Sequence, residues 1–276
     1  MKNTTFVGAL LAVILISSAT IGVVWTIGNI DFNLPGIFGW NKTIQTQTEN
    51  QTQPDDYSQP DDYDDFAAPP TNTYTHNYTA FIQPETVEIL CKSLIDSNKT
   101  ILENLGTLYN YVLDNIEYAY DNDTHPGYWD YWQTPTQTLQ LKKGDCEDMS
   151  ILLLSLIKAY KPDLNAWLIS IFSTTPSGVG HSAVVVSFEQ NVTILDVAGG
   201  YYTGDYIMTI KPDGVSWSGG TETITAKPTE QEMNQWLAFW NVLGVESARV
   251  TRALNDQEEF SFDNNSDFIT FLEDEK

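Results

Sequence analysis

The stretch from Cys146 to Tyr160, "CEDMSILLLSLIKAY", constrains the fold more than any other part of the chain. Read at 3.6 residues per turn, its apolar side chains fall almost all the way round. A helix of that kind needs neighbours on every side and must be central. Gly144 and Asp145 read as the turn into it, with further acids in its first turn. One residue does not suit a purely structural role. A cysteine that only filled the core would sit inside the apolar run, whereas Cys146 sits at its mouth between Asp145 and Glu147.

A thiol is a useful nucleophile as thiolate, and a helix N-terminus favours that form through its exposed N–H groups and macrodipole. The flanking acids oppose it, because nearby carboxylates raise a thiol pKa. A cationic partner is therefore needed, and a histidine within hydrogen-bond reach would supply one. The chain offers His76, His125 and His181. His76 borders a polar stretch. His181 opens a strand-like run after the Gly-rich turn "PSGVG", and 15 residues later Asp196 closes the next such run. If the two runs form a hairpin, Asp196 lies beside His181 and fixes its tautomer. Nucleophile, base and orienter then follow in the order Cys, His, Asp. The competing readings are a surface histidine, an aspartate that only forms a turn, and a structural metal on Cys146, His181 and Asp196, which leaves the helix-tip cysteine unexplained.

The elements around these residues point to an α+β fold. "PETVEILCKSLIDS" from Pro84 reads as a helix with Cys91 in its core face, and a second helix is expected from about Lys99 to Ile116. A loop rich in aromatic, Gly and Pro residues leads to the central helix. Three strand-like runs follow, from Ala166, His181 and Val192, and read as antiparallel neighbours. "TEQE" at Thr229 to Glu232 reads as a capping box opening an amphipathic helix. A strand near Ser247 to Leu254 and a short helix after Ser266 complete the order.

"YWQTPTQTLQLKKGDCEDMSILLLSLIKAY", with "GHSAVVV" and "TILDVAG" after it, resembles the transglutaminase-like superfamily of papain-type cysteine enzymes. The likeness is to archaeal transglutaminase-like domain proteins and bacterial transglutaminase-like cysteine peptidases, and it runs from roughly Tyr118 to Gly199. It implies a papain/transglutaminase-like core, with the Cys-bearing central helix packed on an antiparallel sheet. It also implies Cys146 as nucleophile, His181 as general base and acid, and Asp196 as orienter. The oxyanion would be held by the Cys146 backbone N–H and a second donor, for which Trp132 and Tyr128 in the preceding loop are candidates alongside a plain packing role. No cofactor is required by this chemistry. In some bacterial peptidases that the motif resembles, acids beside the cysteine bind calcium. Asp145 and Glu147 match those positions, and Asp121 and Asp123 are more distant candidates. Otherwise Asp145 caps the helix and Glu147 suits its first turn.

The expected function is an extracytoplasmic cysteine peptidase or amidase cleaving peptide or isopeptide bonds through a thioester on Cys146. Its rivals are an amine-transferring crosslinker and an inactive surface-binding module. Residues 1–30 are expected to be a transmembrane anchor or a signal segment, since Phe6 to Ile27 carries no charge and is long enough to span a bilayer. "SSA" at Ser17 to Ala19 would be the cleavage site in the second case. Residues 31–77, with "QPDDY" at Gln53 and again at Gln59, read as a disordered acidic linker, and 78–276 as the catalytic domain. Sequons at Asn41, Asn50, Asn77, Asn98, Asn122, Asn191 and Asn264 agree with export. In that setting Cys91 and Cys146 could also bridge, which would leave Cys146 inert. With 13 Lys and Arg against 37 Asp and Glu the net charge is -24, which excludes nucleic-acid partners. The expected partners are a protein or peptide substrate at the cell surface and the membrane itself, through the N-terminal helix.

Overall fold

A 3₁₀ turn at Tyr78–Phe81 leads into α1 (Pro84–Leu94), which has proline in its first turn. The computed structural model describes residues 77–274 except 129, 176–178, 212–213 and 219–222. The expected membrane segment, most of the acidic linker and the sequons at Asn41 and Asn50 lie outside the described residues. Among the described residues no helix is long and apolar enough to cross a membrane.

Helix α2 (Ile101–Asn115) starts two residues later than its periodicity suggests, because Thr100 and Glu103 form a reciprocal capping box. After it come β1 (Glu117–Tyr118), the single turn α3 (Asp121–Thr124), α4 (Pro135–Leu141) and β2 (Lys143–Gly144). Thr134 and Gln137 cap α4 in the same way, and Lys142 ends it in the left-handed region at φ 53°. Strands β1 and β2 pair in parallel, which sets Tyr118 beside Gly144. Helix α5 (Cys146–Tyr160) follows at once, and every residue from Asp148 to Lys158 is buried.

The sheet begins with β3 (Ala166–Phe172), β4 (Gly180–Phe188), β5 (Asn191–Asp196) and β6 (Tyr201–Tyr202). A separate hairpin joins β7 (Ile207–Lys211) to β8 (Gly214–Ser218). The chain ends with β9 (Lys227–Pro228), α6 (Thr229–Val242), β10 (Arg249–Leu254), β11 (Glu259–Ser261) and α7 (Asn265–Asp274). Strand order in the main sheet is β11-β10-β3-β4-β5-β6, with β9 also on β5, and every pairing in it is antiparallel. The mixed helix and antiparallel sheet match the expected α+β class.

Period-2 alternation divides the sheet's side chains between two cores. Leu168, Val184, Val186 and Leu195 face α5 and the residues of α1 and α2 behind it. Trp167, Ile169, Ile171, Ala183, Val185 and Ile194 face Trp236, Phe239, Phe268 and Leu272 of α6 and α7. Sandwiched between helices and sheet, α5 buries Ile151 to Leu154, Leu156 and Ile157 completely. Each such side chain contributes about 1.5–3 kcal/mol relative to leaving it exposed.

One local expectation fails. Thr229 and Glu232 do not cap α6, whose N-cap position is Pro228. Glu232 is fully buried and instead accepts hydrogen bonds from Tyr201 Oη at 2.6 Å and Thr203 Oγ1 at 2.8 Å. Bonds to a buried carboxylate exceed what an exposed cap offers, so tertiary partners win.

Candidate active site

Cys146 is the first residue of α5, with Asp145 at the N-cap. What holds this corner is Asp148, the third residue of the helix and fully buried. Its carboxylate accepts the backbone N–H of Gln133 at 2.7 Å and that of Asp145 at 3.3 Å. It therefore ties both the aromatic loop and the Gly144 turn to the helix tip. Gly144 is required here, since a Cβ would lie 2.6 Å from Asp148 Cβ. The Cys146 sulfur is half-buried and donates to Glu147 Oε2 at 3.2 Å. Burial pushes the thiol pKa well up, and Glu147 and Asp145 push it further; the Ser182 backbone N–H facing the sulfur works in the opposite direction.

Ser182 is the neighbour of His181 near the start of β4. Continuing the Val184↔Leu195 register by one residue sets Asp196 opposite Ala183, on the same face as His181 and two residues from it. His181 Nε2 and Asp196 Oδ1 meet at 2.8 Å, with His181 6% and Asp196 0% exposed. The hairpin turn that makes this possible includes Glu189 at φ 57°. Among the described residues Nδ1 of His181 has no hydrogen-bond partner, and no hydrogen bond joins it to Cys146. The structure thus pairs His181 with Asp196 and sets the thiol against the next residue of the same strand.

Three donors besides His181 converge on Asp196. Gly199 N–H reaches Oδ1 at 2.7 Å, and the indole N–H groups of Trp236 and Trp240 reach Oδ2 at 2.9 and 2.8 Å. The Trp240 ring also stacks on the imidazole, centroids 3.6 Å apart. Sequence reasoning missed both tryptophans. Their i, i+4 spacing in "QWLAFW" puts them on one face of α6, but nothing in the sequence says which strand that face meets.

The loop aromatics make the packing contacts that were one of the two readings open to them. Trp132 donates its N–H to Asp130 and packs against Tyr78 and Phe81, with the Arg252 guanidinium also over its ring. Tyr128 lies edge-on to Tyr131, which stacks on His125. Tyr118 is paired with Gly144 two residues before the thiol, and its hydroxyl pKa is raised by burial and then by the charge of Cys146. The parallel β1–β2 pairing that brings it there has no local sequence signature.

The acids form a cluster wider than the motif suggests. Ligand oxygens of Asp121, Asp145 and Asp148 lie within 4.8 Å of one another, as do those of Asp121, Asp130 and Glu147. Asp123, one of the expected candidates, is exposed and is in none of these groups. Burial raises Asp148 to about 8 and raises Asp121 as well. Asp145 and Glu147 are raised too, first by burial and Asp145 further by its neighbour. Oδ1 of Asp121 and Oδ1 of Asp145 are buried without a hydrogen-bond partner. Two orphaned buried carboxylate oxygens in an all-oxygen set fit a hard divalent cation such as Ca²⁺. Among the described residues, Cys146, His181 and Asp196 do not form a metal-holding group. Both cysteines are free, and Cys91 donates to Leu156 O from within the core, so the alternative bridge is not made.

Residues 85–217, just under half of the chain, match the model of a family described as a transglutaminase-like domain, which supports the expected transglutaminase-like superfamily. No curated protein matches the chain. Among solved structures it is similar to Legionella pneumophila LapG, at 14% identity over 69% of this chain and 98% of that one, with a TM-score of 0.39. It is also similar to a putative cysteine protease from Cytophaga hutchinsonii, at 14% identity over 67% of this chain and 54% of that one, TM-score 0.35. A third is the arylamine N-acetyltransferase from Mycobacterium abscessus, at 12% identity over 61% and 76% of the two chains, TM-score 0.32.

Proposed function

We propose that the domain is a cysteine hydrolase of peptide or isopeptide bonds, with Cys146 as nucleophile, His181 as base and acid, and Asp196 as orienter. The observation that carries this reading is the buried 2.8 Å contact between His181 Nε2 and Asp196, on the strand that also faces the helix-tip thiol. With Nε2–H donated to Asp196, neutral His181 presents its Nδ1 lone pair and can take the thiol proton. The thiolate attacks the carboxamide carbon, the C–N bond breaks, and His181 returns the proton to the leaving amine. Water then resolves the thioester. The backbone N–H of Cys146 and the Tyr118 hydroxyl are the donors we assign to the oxyanion.

The site residues also suit a calcium ion, which would be held by Asp121, Asp145 and Asp148 or by Asp121, Asp130 and Glu147. Bound there, the cation supplies positive charge that offsets the acids now favouring a protonated thiol. The N-terminal apolar run supports placing the enzyme at the outer face of a membrane, either anchored or released after cleavage.

The test is incubation of the full chain with a casein peptide pool and a biotinylated primary amine, with Cys146→Ala as control. New peptide termini that depend on Cys146 support the hydrolase. Cys146-dependent amine incorporation without new termini overturns it in favour of the crosslinker. Neither product, together with alkylation of Cys146 no faster than that of free cysteine, leaves a binding module.

A further inference from the structure

We infer that Trp236 and Trp240 of α6 are positioning residues for the acid–base pair, holding the Asp196 carboxylate in the one rotation that keeps His181 oriented for Cys146. The inference rests on the cysteine-hydrolase reading above and extends its machinery past the family domain, which ends at residue 217.

Asp196 is fully buried, and among the described residues no lysine or arginine pairs with it. Its charge is met by four N–H donors, two on each oxygen. His181 Nε2 and Gly199 N stand at 2.8 and 2.7 Å from Oδ1, and Trp236 Nε1 and Trp240 Nε1 at 2.9 and 2.8 Å from Oδ2. A carboxylate has about four lone-pair sites, so its capacity is filled and any rotation breaks several bonds at once. Indole suits the task. It is an uncharged donor with no acceptor, so it neither exchanges protons with the pair nor competes with His181 as a counter-ion. A lysine or arginine in its place would.

Two packing facts point the same way. The Trp240 ring stacks on the imidazole with planes 28° apart, limiting the tilt of His181 while its own N–H fixes Asp196. Gly199 closes the other side, since a Cβ there would lie 2.6 Å from both Asp196 Oδ2 and Trp240 Cζ2. The tryptophans are one helical turn apart, so a single element sets both bonds.

The test reads the iodoacetamide alkylation rate of Cys146 in the full chain, by peptide mass spectrometry, with the melting temperature measured in parallel. Trp240→Phe keeps an aromatic ring beside His181 while removing the N–H and part of the indole. It is expected to slow alkylation by about tenfold, the scale of a lost hydrogen bond to a charged group. Trp236→Phe should act similarly; if that core variant does not fold, the half-buried Trp240 carries the test alone. In an Asp196→Ala background Trp240→Phe should cause no further slowing, because both act through one carboxylate. A merely structural role predicts a lower melting temperature with unchanged alkylation, or losses that add in full, and either result overturns the inference. If His181→Ala and Asp196→Ala themselves leave the rate unchanged, the hydrolase reading falls, and the positioning role falls with it.

Discussion

Gly144→Ala tests how the corner at Cys146 is held. The added Cβ would stand 2.6 Å from Asp148 Cβ and 2.9 Å from its Oδ2. Asp148 Cβ is fixed to the buried backbone of α5 and cannot swing away, so the Gly144 turn must retreat. Overpacking of this kind costs about 1–3 kcal/mol. The retreat also strains the bonds by which Asp148 holds Gln133 N–H and Asp145 N–H, and losing one buried bond costs about 1–3 kcal/mol more. The total is roughly 2–6 kcal/mol, or a melting temperature lower by about 5–20 °C for a domain of this size. Gly127→Ala is the control. Gly127 sits at φ 94° with nothing within 4 Å of the new Cβ, so it meets only backbone strain, of about 1–2 kcal/mol. Differential scanning fluorimetry compares the two. If Gly144→Ala melts no lower than Gly127→Ala, the account of the corner is wrong.

Other expectations follow from the same structure. Gly106→Ala should stabilise by about 0.5–1 kcal/mol, since glycine is a poor helix former and the new Cβ meets only the Ile224 side chain, Cδ1 at 3.4 Å and Cγ1 at 3.9 Å; urea titration showing a loss would refute this. In chelator, stability should fall as pH rises from about 4 towards 8. The buried acids, Asp148 at about 8 among them, keep protons in the folded state that the unfolded chain has released. Their contribution is whole below the ordinary carboxylate pKa and is lost as pH passes the raised values, so a flat or rising profile contradicts the cluster. Saturating calcium at pH 8 should raise the melting temperature, and Asp121→Asn should abolish most of that gain; an equal gain in the variant excludes Asp121 as a ligand. Tyr118→Phe should slow turnover by about 10²-fold, the cost of one oxyanion donor, yet leave Cys146 alkylation unchanged. A parallel loss in both would make Tyr118 a packing residue.

Features carried by local pattern were legible in the chain. The all-apolar run fixed α5 as central, and the three β-branched runs gave β3, β4 and β5 as antiparallel neighbours. The pairing of His181 with Asp196 could be read because it depends on a hairpin, and hairpins are short-range. Capping is local too, yet "TEQE" misled, because Glu232 found two buried hydroxyls that no window of sequence contains.

The sequence by itself determined on which element each candidate residue sits, since a helix tip and a strand end are set by neighbours a few positions away. Only the tertiary structure decided what surrounds them. Asp121 joins the acids from more than 20 residues upstream, Tyr118 arrives through a parallel pairing, and the two indoles reach Asp196 from a helix 40 residues on. These contacts depend on which faces of distant elements are buried together. That choice is made by the whole core, where one sheet must satisfy helices on both its faces.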